Sequence, residues 1–269
     1  MRRRFIGGEG PRTPRRRRWQ TLREKRRRGI FLLPSLLTTA NLFSGFLAVL
    51  FTMNERYPEA ALAIFAAIFL DILDGKVARL TNTTTQFGLE FDSLADQVSF
   101  CVAPAVLLYA WALSQLGRAA WLASFLFVIC GALRLARFNV YSGLIDRRFF
   151  VGLPTPAAAG LAAATVLLFA DGELPRWGLL AIGAATYLVA LLMVSTFRYW
   201  SFKEVDFARR HPLGVLLVVV LGVLIVATAP QVFLFTLLGL YALSGPARRL
   251  WVRKPESAGT TDTEPTDSH

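Results

Sequence analysis

Apolar runs of about the length that crosses a bilayer, roughly 17–25 residues, follow one another along this chain with little between them. They fall at 31–53, 58–80, 88–113, 118–139, 154–171, 177–195, 213–228 and 230–245. Inside hydrocarbon every backbone N–H and C=O needs an internal partner, so runs this long and apolar span as helices. The sequence therefore predicts an all-α, polytopic transmembrane helical bundle of about eight helices. The last two runs are short and separated only by "ATAPQ", a pattern that a single re-entrant pair would also produce. With 54% hydrophobic residues, a soluble domain is excluded. Cys101 and Cys130 lie in apolar surroundings without metal-ligand spacing and read as buried thiols.

Charge divides the chain further. Residues 1–28 hold 13 Arg and Lys against two Glu, which accounts for eleven of the net charge of +12. We read 1–29 as a basic cytoplasmic arm, 30–246 as the transmembrane catalytic domain and 247–269, polar and acidic, as a disordered cytoplasmic tail. Arginine runs also occur in nucleic-acid binders. Beside a hydrophobic helix, however, they set orientation and attract anionic lipid headgroups, at about 1 kcal/mol per charge. Anionic membrane lipids, not nucleic acid, are thus the expected partner. "RRRFIG" at 2–7 faintly resembles a twin-arginine export signal, but the following apolar run is too long for one and reads as an uncleaved helix. If the arm is cytoplasmic, positive charge recurs on the same side at Arg147 and Arg148, at Arg198, Lys203, Arg209 and Arg210, and at Arg248, Arg249, Arg253 and Lys254. Both termini then face the cytoplasm, and the expected location is the cytoplasmic membrane of a bacterial cell.

Against this background four aspartates stand out: Asp71 and Asp74 at the end of the second run, Asp92 and Asp96 at the start of the third. A charge at the centre of a membrane helix costs about 2.5–3.5 kcal/mol on insertion scales. At about 100° per residue Asp71, Asp74, Gly75 and Ala78 share one helix face, with Arg79 at its margin. Asp92 and Asp96, at i and i+4, share another, preceded by Gly88. A short connection makes the two helices antiparallel neighbours, so the faces can meet near the cytoplasmic surface. Four converging carboxylates repel unless a cation joins them, and an all-oxygen set suits Mg²⁺ or Mn²⁺. Two such ions form a clamp for phosphoryl chemistry. The bland alternative is that Lys76 and Arg79 pair with the aspartates as salt bridges.

The spacing D-G-x₂-A-R-x₈-G-x₃-D-x₃-D, carried by Asp74, Gly75, Ala78, Arg79, Gly88, Asp92 and Asp96, resembles the signature of the CDP-alcohol phosphotransferases, with Asp71 as the additional first aspartate. The resemblance covers about residues 31–245. It implies the fold of that family, a two-metal site fed by Asp71, Asp74, Asp92 and Asp96, and a CDP-linked lipid as donor. It also implies Asp96 as general base on the acceptor hydroxyl, Gly75 and Ala78 in the nucleotide region, and a homodimer. Arg79 and Gly88 are placed near the nucleotide and diphosphate, Arg79 alternatively in a supporting ion pair; Thr38 and Asn41 of the first run are candidates to hold cytidine or phosphate or, equally, to bond to neighbouring helices.

"FDSLADQVSFCVAPA" at 91–105, "RLARFN" at 134–139, "GLPTPAAAG" at 152–160 and "PSLLTTANLFSGF" at 34–46 resemble the phosphatidylserine synthase branch. Cys101 and Ser35 depart from it, where glycine and asparagine are expected. Serine as acceptor brings a carboxylate that wants a cation, and Arg134 and Arg137, with Asn139 beside them, are the candidates. The expected reaction joins CDP-diacylglycerol and L-serine to give phosphatidylserine and CMP. The alternatives are a sibling enzyme using glycerol 3-phosphate or an inositol phosphate, and a divalent-cation transporter. Against the transporter, the acids cluster at one membrane face and continue no path to the other.

Overall fold

The computed structural model describes residues 14–81, 85–141, 149–170, 172–200 and 228–252. Its helices are α1 (Pro14–Met53), α2 (Tyr57–Thr81), α3 (Gln86–Asp96), α4 (Ala103–Trp111), α5 (Arg118–Tyr141), α6 (Thr155–Phe169), α7 (Arg176–Val194) and α8 (Pro230–Val252). A π-helical turn, Gln97–Val102, joins α3 to α4, and a 3₁₀ turn, Leu113–Leu116, precedes α5. Two three-residue strands, β1 (Phe149–Val151) and β2 (Arg198–Trp200), pair antiparallel with Phe150 opposite Tyr199. Among the described residues, five segments are long and apolar enough to cross a membrane: Pro34–Met53, Gln86–Trp111, Arg118–Val140, Arg176–Val194 and Pro230–Ala247.

Where they are described, the expected helices stand within a few residues of their predicted bounds, and three differences are informative. First, the basic stretch from Pro14 is helical backbone continuous with the first membrane helix, so α1 is 40 residues long. Second, the run at 88–113 is one span interrupted by the π turn. Pro104 has no N–H for the carbonyl of Phe100 and its ring crowds that turn; the extra residue of a π turn absorbs the mismatch. Third, α8 continues to Val252, past the boundary at 247, and its apolar part, Pro230–Ala247, is by itself long enough to cross a membrane. The seventh run, 213–228, lies outside the described residues, as do Arg147, Arg148, Lys203, Arg209, Arg210, the residues before Pro14 and those after Val252.

The outer surface is apolar because the surrounding solvent is lipid: Leu36, Phe43, Phe69, Phe125, Trp177 and Leu240 are all more than half exposed. The interior is built on small side chains. Ala48, Ala60, Ala61, Ala67, Ala103 and Ala163 are fully buried where α1, α2, α4 and α6 meet. Between membrane helices, where burying apolar surface gains little, such close backbone approach supplies the packing. A second cluster, with Phe127, Leu153, Met193 and Tyr199, joins α5, α7 and the strands to α8.

Contacts at the two ends give the directions. Tyr57 at the start of α2 donates to the carbonyl of Ala110 at the end of α4 (3.4 Å), so the far end of the bundle collects these termini. Phe169, ending α6, meets Phe235 of α8 edge-on at 6.1 Å. At the opposite end the Tyr199 hydroxyl donates to Ala242 O of α8 (3.0 Å). Trp200 and Pro230 therefore stand at opposite ends. The end of α2, the start of α3 and the strands share one end, and the aspartates lie there.

One close approach ties α1 to the π turn. A Cβ on Gly45 would lie 2.6 Å from Ser99 Cα and 2.3 Å from its Oγ. Gly45→Val is expected to force these elements apart, an overpacking that costs about 1–3 kcal/mol. Its apparent melting temperature in detergent should fall. Gly239→Ala, where a Cβ meets no described atom within 4 Å, should melt like the parent.

Candidate active site and metal centre

Three helices deliver the site. α2 carries Asp71 and Asp74 on its last turns, and α3 carries Asp92 and Asp96 on one face. α1 supplies Thr38 and Asn41, both buried. One carboxylate oxygen from each of Asp71, Asp92 and Asp96 can be chosen so that all three lie within 4.8 Å of one another. Asp74 stands next to this trio, close enough for its charge to act on Asp71 and Asp92. Its Oδ2 accepts a hydrogen bond from the Thr38 hydroxyl. Asn41 Nδ2 donates to Asp96 Oδ1 at 3.2 Å, and Ser99 Oγ donates to the carbonyl of Asn41 at 3.0 Å. The π turn that follows Asp96 thus grips the same α1 residue that orients Asp96.

The salt-bridge alternative is not what the structure displays. Arg79 is exposed and its Nε donates to Gly75 O at 2.7 Å. Lys76 is exposed, and among the described residues none of the four aspartates is in an ion pair. Asp92 Oδ1 is buried without a hydrogen-bond partner. A cluster of largely half-buried carboxylates with an orphaned oxygen and, among the described residues, no cation bonded to it fits a divalent ion: the donors are all oxygen, and they converge within coordinating reach of one centre.

Small residues around the cluster leave room. A Cβ on Gly75 would meet only Arg79 Nη2, at 3.9 Å, so packing within the protein does not require glycine there. Gly88 has a local reason: its N–H is capped by Thr85 Oγ1 at 3.0 Å, and a Cβ would lie 3.1 Å from that oxygen. This N-cap starts α3 and fixes the phase of Asp92 and Asp96, and it was readable as Thr before a helical run. Glu90 is exposed and accepts from Gln86 Nε2, away from the cluster.

The three candidates on α5 part ways. Arg134 is buried, 8% exposed, and near enough to Asp96 for their charges to interact. Its Nη1 donates to Thr155 Oγ1 at 3.0 Å, while its Nε is buried with no hydrogen-bond partner among the described residues. Arg137 instead donates to backbone carbonyls, Val194 O at 3.0 Å and Val151 O at 2.9 Å among them. Asn139 Nδ2 donates to Ser93 Oγ at 2.9 Å, tying α5 to α3 between Asp92 and Asp96. Thr155 and Ser93 had no role in the sequence reading; each is a lone hydroxyl among apolar or acidic neighbours. Cys101, the departure from glycine, is buried, and a Cβ on Gly131 would lie 2.3 Å from its Sγ. The side chain added at 101 is accommodated by its absence at 131.

With this geometry in place, similarity to known proteins decides the family. The family described as CDP-alcohol phosphatidyltransferase matches residues 31–197, which include all four aspartates and Arg134. The chain belongs to that family. A Helicobacter pylori protein named CDP-diacylglycerol–serine O-phosphatidyltransferase is 38% identical over 228 residues, covering 83% of this chain and 93% of its own. Proteins of the same name from Bacillus subtilis (36% identity, 64% of this chain, 92% of theirs) and Methanocaldococcus jannaschii (38%, 66% and 78%) are similar as well.

For this family site, the groups that hold the carboxylates should matter almost as much as the carboxylates. Replacing the hydroxyl that orients a ligand typically weakens metal affinity about 10–100-fold. Thr38→Val, nearly isosteric, is expected to weaken Mn²⁺ binding by at least about tenfold, read from free Mn²⁺ by electron paramagnetic resonance. Binding equal to the parent's would remove Thr38 and Asp74 from the metal centre.

Proposed function

We propose that this membrane enzyme transfers the phosphatidyl group of CDP-diacylglycerol to the hydroxyl of L-serine, releasing phosphatidylserine and CMP. The observation that carries the reading is the convergence of Asp71, Asp92 and Asp96, on the signature spacing, beside the buried cation of Arg134. The names of relatives similar over most of the chain supply the alcohol.

Asp71, Asp92 and Asp96, completed by Asp74, would hold Mg²⁺ or Mn²⁺, two ions by family resemblance. Bound there, they would neutralise the diphosphate and the departing CMP. The protein's own groups do the rest. Asn41 fixes Asp96 through Oδ1, which orients the carboxylate toward the acceptor. Asp96 takes the serine hydroxyl proton as that oxygen bonds to the lipid-bearing phosphorus. The bond from that phosphorus to the CMP oxygen breaks, and CMP leaves with the electron pair. Arg134, whose Nε has no partner, receives the serine carboxylate. The open space at Gly75, with Ala78 on the same face, admits the nucleotide, and the exposed guanidinium of Arg79 lies at its edge. The reaction would lie at the cytoplasmic face if the basic arm fixes orientation as positive segments do, with anionic lipids attracted to it.

Two measurements on one variant test the assignment. Asp96→Asn should still bind CDP-diacylglycerol but convert labelled serine to phosphatidylserine about 10²–10⁴-fold more slowly, the range for loss of a positioned base. Near-parental conversion would remove Asp96 from that role. Lost lipid binding would make it purely a ligand holder.

A further inference from the structure

Four carbonyls from two pieces of backbone meet at the guanidinium of Arg137. Nη1 donates to Val194 O at 3.0 Å; Nη2 donates to Val151 O at 2.9 Å and lies 3.3 Å from Ser195 O and 3.5 Å from Met193 O. Three of these carbonyls end α7, where the last turn of a helix has no intrahelical donors and carries partial negative charge. The fourth ends β1. Only a planar fork of donors reaches so many acceptors at once; an ammonium does not reproduce it.

What this clamp holds is the entry to α6. Gly152 follows β1 at φ +83°, and its N–H donates to Phe197 O at 2.9 Å. The next amide, of Leu153, donates to Leu192 O at 3.0 Å. A Cβ on Gly152 would lie 2.2 Å from Met193 O and 2.8 Å from Arg137 Nη2, so the junction is pressed against both the helix end and the clamp. Two residues beyond Leu153 stands Thr155, fully buried, whose hydroxyl accepts from Arg134 Nη1 at 3.0 Å. Arg134 and Arg137 are one turn apart on α5. Arg137 therefore sets the position of the residue that holds Arg134.

We infer that Arg137 is a positioning residue for the acceptor: by fixing the β1–α6 junction on the end of α7, it places Thr155 and so aims the Arg134 guanidinium beside Asp96. The inference rests on the proposal above that Arg134 receives the serine carboxylate. It separates two arginines that look equivalent in sequence. One meets the substrate, and the other meets only the protein.

The test uses the full chain in detergent micelles with CDP-diacylglycerol and serine both varied. Arg137→Lys and Thr155→Val are each expected to raise the KM for serine about tenfold, the effect of misaligning one charge-assisted hydrogen bond. kcat and the KM for CDP-diacylglycerol should stay within about twofold of the parent, since neither residue touches the reacting atoms. Thr155→Ser, which keeps the hydroxyl, should restore the parental KM. The double variant should be no worse than the poorer single one, because both act through Arg134. Equal changes in both KM values, or a fall in kcat alone, with folded fraction unchanged, would overturn the positioning role. So would multiplicative effects in the double variant. Arg134→Lys separates the two levels. If it raises the serine KM and Arg137→Lys does not, the positioning role alone fails; if it leaves the serine KM unchanged, the acceptor site itself is misplaced and the inference falls with it.

Discussion

The structure turns on the repulsion among carboxylates that a membrane bundle has gathered in one place. Carboxylate oxygens from three aspartates within 4.8 Å of one another, with a fourth aspartate beside them and, among the described residues, no cation bonded to any, are unfavourable on their own. The surrounding architecture makes sense as support for that cluster. α1 threads between α2 and α3 and gives Thr38 to Asp74 and Asn41 to Asp96. The π turn gives Ser99 to Asn41, and glycines at 45 and 131 let the π turn sit close to α1 and α5. Each of these devices limits how far the carboxylates can move apart, which is what a preformed oxygen-ligand site for a divalent ion requires.

Much of this was legible in the sequence. Periodicity and length placed the described helices, because a span that must satisfy its own backbone has few alternatives to a helix. The spacing of Asp71, Asp74, Asp92 and Asp96 placed them on facing surfaces, because helix geometry maps i, i+3 and i+4 onto one face. Other features depend on tertiary context. The π turn is a response to Pro104 within a span whose neighbours keep it packed, and hydropathy does not distinguish it from plain helix. The β1–β2 pair comes from two three-residue segments that meet only because the start of α6 lies beside the end of α7, too short a signal to read locally. For Thr38 and Asn41 the sequence left open a nucleotide contact or a bond to neighbouring helices, and they bond to Asp74 of α2 and Asp96 of α3.

The α5 arginines show the same limit at the level of single residues. Arg134 and Arg137 sit one turn apart in "RLARFN" and carry identical chemistry. Their environments assign them differently, one to a buried position beside Asp96 with an unpartnered Nε, the other to the carbonyls ending α7. Fold and family supply the reaction class; that the two arginines have different partners emerges only from the contacts.

The central claim is that this carboxylate cluster performs metal-dependent transfer to serine. The most direct measurement is CMP release by the purified protein given CDP-diacylglycerol and Mn²⁺ or Mg²⁺, with serine, glycerol 3-phosphate or inositol phosphate supplied in turn. Release should need both serine and metal and should stop with EDTA. Release with another alcohol but not serine would contradict the assignment of Arg134, and no release with any of them from folded protein would contradict the transfer reaction itself.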